Sequence, residues 1–206
     1  MGSEMQTAPI PQRLEHLQKL ISSPRFLQKE GLGNEVPFFI VPFKPSETYE
    51  IDKLRTQLTN RLLKQGVEIL EINLYDLCHD LLVQEGDWDY WMANEKNESK
   101  GILREELQGA LDVETILIPA MAERMADASF DVMFISGVGE VFPFIRSHNV
   151  LNNLQKEAKE KPTVMFFPGQ YTHSLANGAS LDLFAPIKRL EDDKYYRAFN
   201  IFDREI

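Results

Sequence analysis

At 206 residues the chain is long enough to bury one full core, while two domains of equal size would each be small; a single domain over 1–206 is expected, with 1–12 as a flexible tail. Apolar residues at 43% and charged residues at 26% are ordinary globular values, and no run approaches the ~18 uninterrupted apolar positions of a membrane helix. A net charge of −10 without any Lys/Arg block argues against autonomous nucleic-acid binding, and a lone cysteine, Cys78, excludes an internal disulfide.

The first twelve residues have neither the basic nor the apolar region of a secretory signal, so a cytoplasmic location is expected. Leu14, Leu17, Leu20 and Ile21 fall at helical spacing and predict an amphipathic helix over 13–22 that Pro24 ends. Residues 36–41 (VPFFIV) are continuously apolar, as in a strand buried on both faces. Ile51, Leu54, Leu58 and Leu62 mark one stripe of a helix that stops at Gly66, and 67–74 reads as the next strand. Strand, helix and strand within about forty residues form a βαβ unit, which implies parallel pairing with a right-handed crossover.

Between 75 and 129 the rhythm changes. A helix near 75–84 is followed by the aromatic and acidic loop GDWDYWMANEKNESKG, and then by helical pattern over 102–125, in which Pro119 requires a kink or two helices. This stretch is a helical insertion. The α/β alternation resumes with a strand at 130–135, a helix around 149–158, a strand at 163–167 and a last strand at 195–202. The expected fold is therefore α/β, a mostly parallel sheet of about five strands flanked by helices.

Gly137-Val-Gly139 follows an apolar strand and precedes a helix, the usual position of a phosphate-binding turn. The dinucleotide fingerprint wants a third glycine where Phe142 stands, and a Walker A loop wants a Gly-Lys pair, which occurs nowhere in the chain. The loop after the first strand, Pro42-Phe-Lys44-Pro-Ser-Glu47, contains no glycine. A tight turn alone accounts for Gly137 and Gly139. Parallel strands nevertheless share a carboxyl edge, so Lys44, Gly137, Gly139, Glu140, Arg146, Gly169 and Tyr171 are expected to converge there as a candidate ligand or partner rim.

Phe167-Pro-Gly-Gln170 has the composition of a type II turn. Period-two alternation in YYRAFNIF puts Arg197 on a largely apolar face with Tyr195, Phe199 and Ile201, which calls for a carboxylate partner, Glu140 being one candidate, or for a position at the strand's exposed start. Cys78 and His79 are helix neighbours that point about 100° apart, so they do not form a nucleophile and base pair, and Cys78 belongs with Leu77, Leu81 and Leu82 in the core. The histidines show no metal-ligand spacing, so neither a structural zinc nor another cofactor is expected. Trp88, Tyr90 and Trp91 are candidates for partner contact, or for anchoring their segment to the body as a satellite core.

Taken in order, PFFIVPF, GVGEVFPFIRSHNVLNNLQ, TVMFFPGQY and LDLFAPIKRLEDDKYYRAFNI resemble the BrxB family of the bacteriophage exclusion (BREX) systems, from about residue 14 to 201. The resemblance implies a cytoplasmic antiviral protein of bacteria that acts with a methyltransferase, a large ATPase and the phosphatase-like protein PglZ. Within that set it implies a non-catalytic member whose direct partner is PglZ. It supplies no catalytic residues, so Gly137, Gly139, Glu140, Phe142, Pro143, Arg146, Pro168, Gly169, Tyr171, Tyr195, Tyr196 and Arg197 enter as motif positions. Three readings follow: an interaction module, a nucleotide binder with a non-Walker site at Lys44, Gly137, Glu140 and Arg146, and a DNA-contacting subunit that the net charge disfavours.

Overall fold

The computed structural model describes residues 2–32, 36–174, 178–183 and 198–204. Helix α1 (Gly2–Gln6) occupies part of the stretch expected to be a tail, and α2 (Ile10–Ile21) starts a turn earlier than the leucine spacing suggests, because Pro11 suits a first helical turn where its missing N–H would have no partner. Pro24 ends that run and opens the short helix α3 (Pro24–Leu27), capped by the Ser23 hydroxyl, which accepts from the Phe26 N–H at 3.2 Å.

Strand β1 (Phe38–Phe43) is buried at every position, as its unbroken apolar run requires. It leads through a 3₁₀ turn into α4 (Thr48–Leu63), whose buried residues are Ile51, Leu54, Leu58 and Leu62. Gly66, at φ +79°, closes α4: the Gly66 N–H donates to the Leu63 carbonyl at 3.0 Å and the Val67 N–H to the Leu62 carbonyl at 3.0 Å. Strand β2 (Ile69–Asn73) follows.

The insertion then runs through α5 (Leu74–Gln84), α6 (Asp87–Asn94), α7 (Lys100–Ala110), a π-helical turn (Val113–Leu117) and α8 (Ile118–Asp127). The aromatic and acidic stretch expected to be a loop is largely helical, since Trp, Tyr, Met and Ala all tolerate a helix and Asp87 and Asp89 suit its first turn. Pro119 sits in the first turn of α8, so the expected break falls before it, at Leu111 and Asp112.

Strand β3 (Val132–Ser136), α9 (Ser147–Leu154), β4 (Thr163–Ser174), β5 (Gly178–Leu183) and β6 (Ala198–Asn200) complete the described residues. The sheet runs β2-β3-β4-β1-β6 with every neighbour parallel, and β5 pairs antiparallel with the far half of β4. The fold is thus the mostly parallel α/β sheet read from the sequence, with a sixth strand added. Pro42 is compatible with the middle of this sheet because β6 ends opposite Ile40, so the missing N–H breaks no rung with it.

One turn expectation fails. Phe167 to Gln170 is not a type II turn but continuous β4, with Pro168 opposite Phe43 of β1 and Gly169 opposite Leu183 of β5. Proline followed by glycine also suits a strand that changes partner with another backbone close by. A Cβ at Gly169 would lie 2.3 Å from the Asp182 carbonyl oxygen, a separation only a glycine permits.

Each face of the sheet has its own core. Phe38, Ile40, Ile72, Met133, Ile135, Met165 and Phe167 pack with the insertion and α9, whereas Phe39, Val41, Phe43, Val132, Phe134, Val164 and Phe166 pack with α2 and α4. Tyr195, Tyr196 and Arg197, and with them the proposed pair of Arg197 and Glu140, lie outside the described residues.

Candidate functional site

The carboxyl ends of β1, β2, β3 and β4 share one edge because all four strands run the same way. At the β1 and β4 ends, Lys44, Pro45, Glu47, Gly169 and Gln170 join Gln6 and Thr7 of the N-terminal segment around a cavity of about 340 Å³. Lys44 and Gly169 from the expected rim therefore meet. Glu47 is the organising group: its carboxylate accepts from the Lys44 N–H at 3.1 Å and from the Arg13 guanidinium at 2.5 Å and 3.4 Å. Burial would push the Glu47 carboxyl up, but the Arg13 hydrogen bond, the Lys44 N–H and both charges hold it below the usual carboxylate range.

Gly137, Gly139 and Glu140 form a separate neighbourhood at the β3 end. Gly137 has φ +73° and leaves room for Asn73 of β2, whose side chain caps α5 by accepting from the Tyr75 N–H at 2.9 Å and the Asp76 N–H at 3.3 Å. The turn then closes through the Glu140 N–H to the Gly137 carbonyl at 3.0 Å. Glu140 is exposed and its carboxyl is pushed up, first by partial burial and then by the charges of Asp52 and Asp76, against an opposing pull from Arg55. Acidic surroundings of this kind disfavour a phosphate at the glycine turn. Arg146 stands at the start of α9, and Glu140 and Arg146 do not line the Lys44 cavity.

Tyr171 leaves the rim altogether. It is buried, and its hydroxyl donates to the Ala198 carbonyl, tying β4 to β6; burial and then the charge of Asp203 push its phenol up to about 12. The three aromatics of the insertion divide. Trp88 and Trp91 are half-buried against the core, with Trp88 edge-on to the His79 ring at 4.5 Å, while Tyr90 is 53% exposed.

Cys78 is core, as its helical neighbours suggest, and burial pushes its thiol up to about 12. At pH 8 the thiolate fraction is then on the order of 10⁻⁴, so iodoacetamide is expected to leave the native protein unlabelled and to label it once guanidinium unfolds the chain. Rapid labelling of the native chain, read by mass spectrometry, would contradict this burial.

Arg13 and Asn73 were not among the residues expected at this edge. Both carried a signal: Arg13 interrupts the apolar stripe of α2 one turn before Leu17, which demands a partner, and Asn73 sits where β2 meets α5, the position of a helix cap.

A parallel sheet covered by helices on both faces, with carboxyl-edge loops that follow neither phosphate-loop pattern, defines an α/β protein of the open-sheet class. The chain belongs to the BrxB family: the family described as BREX protein BrxB matches residues 70–201. A relative named BREX protein BrxB from Bacillus cereus (strain H3081.97) is 32% identical over 199 residues, covering 95% of this chain and 98% of that protein. Another of the same name from Escherichia coli O9:H4 (strain HS) is 26% identical over 189 residues, covering 92% of this chain and 90% of that protein. No solved structure matches the chain.

Proposed function

We propose that this chain is a non-catalytic component of a BREX anti-phage system, an interaction module whose direct partner is the phosphatase-like protein PglZ. The observation that carries this reading is how the edge spends its polar groups. Glu47 is occupied by Arg13 and the Lys44 amide, the space beside Gly137 by the Asn73 cap, and the Tyr171 hydroxyl by the Ala198 carbonyl. These groups build structure and are not poised for chemistry.

The insertion supplies the complementary support. Residues 75–129 contain thirteen acidic and four basic residues, so −9 of the chain's net −10 lies there. Tyr75, Val83, Tyr90, Met92 and Ile102 on the same segment are exposed, and α6 and α7 bury no residue fully. An acidic surface with apolar anchors suits steering and docking of a basic partner.

Affinity purification of the tagged chain from cells with and without PglZ, followed by mass spectrometry, tests the reading. PglZ is expected to coelute, and the double variant Tyr90→Ala, Met92→Ala to recover at least tenfold less of it with stability unchanged within about 0.5 kcal/mol. A chain that elutes alone and hydrolyses ATP would place it in another class. The Lys44 cavity keeps a second reading in view, binding of a nucleotide at the rim. A nucleotide at a hundredfold excess over its dissociation constant would then stabilise the fold by about 2.7 kcal/mol, visible as a shift in melting.

A further inference from the structure

The cations best arranged to receive an anion lie away from the carboxyl rim, on the α2 and α3 side of the sheet. A cavity of about 240 Å³ is lined there by Arg25, Lys29 and Arg204, with Leu20, Phe26, Leu32 and Phe39 as its apolar wall. Arg204 lies with its guanidinium carbon 4.4 Å from the centre of the Phe199 ring and 5.7 Å from that of Phe39. Its Nε is buried and makes no hydrogen bond. The two rings pack against the guanidinium, and Arg204 is also part of the cavity lining.

Arg25 adds a second guanidinium close enough for the two charges to repel: burial first, and then Arg25, makes Arg204 easier to deprotonate than usual. Among the described residues neither arginine forms an ion pair, although the exposed Glu30 and Asp203 line the same cavity. Lys29 is partly engaged. Its ammonium donates to the Lys159 carbonyl at 3.2 Å and stands 4.0 Å from Glu160. Its φ of +57° is that of the left-handed residue closing α3, where the Lys29 N–H donates to the Phe26 carbonyl at 3.0 Å and the Glu30 N–H to the Arg25 carbonyl at 2.9 Å.

Two like charges lining one cavity, with no ion-pair partner among the described residues, are unfavourable in the empty protein and favourable once an anion bridges them. A guanidinium is a planar fork of N–H donors, and two of them lining one cavity match the oxygens of a dianion better than a lone carboxylate. We propose that this cavity binds a phosphate dianion, free or carried as a phosphomonoester on a small body that rests against Leu20, Phe26 and Phe39. Its volume of about 240 Å³ suits a small ligand. The site is independent of the partner reading above.

Melting of the full chain in rising inorganic phosphate, or in rising AMP, with ionic strength held constant by sodium chloride, tests the site. A saturable rise in melting temperature is expected. Arg25→Gln, at an exposed side chain outside the core, should weaken the apparent affinity at least tenfold, Arg25→Lys less so, and the remote control Lys64→Gln not at all. Without phosphate, Arg25→Gln should melt at or above the parent, because the repulsion on Arg204 is gone. AMP binding tighter than phosphate identifies a phosphomonoester with a body, and equal affinities identify the free oxyanion. No response beyond the chloride control, or a response that Arg25→Gln leaves intact, overturns the proposal.

Discussion

Replacing Glu47 by Ala is expected to cost about 3 kcal/mol, and replacing Arg13 by Met distinctly less, although the two residues form one ion pair. The asymmetry comes from burial. The Arg13 side chain is 3% exposed and that of Glu47 29%, so loss of the carboxylate strands a guanidinium out of reach of water, where its Nε already lacks a partner. Loss of the arginine leaves a carboxylate that solvent can still reach and that keeps the Lys44 N–H. Urea unfolding of the two variants measures the difference, and equal losses would mean that the pair is no more than a surface contact.

The same pair has a pH signature. Because the folded chain holds the Glu47 carboxyl below its ordinary value, the contribution is fully present above the carboxylate range of the unfolded chain, near pH 4.3, and is lost as pH falls through the folded value. The stability gap between the parent and Glu47→Gln should therefore stay constant from pH 7 to about pH 5 and narrow in more acidic solution. A gap that widens in acid would reverse the assigned sign.

The second large effect is expected at the glycine turn. Gly137→Ala should destabilise the fold by about 3 kcal/mol, from a left-handed backbone, a steric clash and a damaged cap acting together. The new Cβ would lie 2.2 Å from the Asn73 side-chain oxygen and 3.1 Å from the Tyr75 nitrogen, so the group that caps α5 has to move. Gly86→Ala is the control, with φ +82° and nothing within 4 Å of the added carbon; it should cost only about 1 kcal/mol. Asn73→Ala should cost about 1 kcal/mol alone and less in the Gly137→Ala background, because the atom that clashes is gone. Additive losses would show that the two loops are not coupled.

These outcomes bear on what the rim is. Its glycine is needed for contact between β2 and β3, and its glutamate near β1 is needed to hold α2 to the first loop. A phosphate loop keeps such groups free for ligand, whereas here they fasten the edge together, which fits a surface offered whole to another protein. The cavity beside α3 is built differently, since Arg25 and Arg204 both line it and neither forms an ion pair among the described residues.

The alternation of strands and helices, the parallel sense of the sheet and the helical insertion were legible in the chain. They follow from periodicity and from the geometry of the βαβ crossover, both of which act over short distances. The family was legible too, because its motifs are contiguous. Composition misled where one pattern serves two geometries: Pro168-Gly169 suits a turn as well as a strand that changes partner, and Trp88 to Asn94 suits an aromatic loop as well as a helix.

The sequence by itself determined the order and type of the elements, since each stripe of apolar residues carries its own period. Only the tertiary structure decided that Arg13 meets Glu47 34 residues away, that Asn73 fills the space beside Gly137, and that Arg25 and Arg204, from opposite ends of the chain, line one cavity. Such pairings depend on which helix covers which face and on strand register, and these are settled by burial of the whole core rather than by any local run of residues.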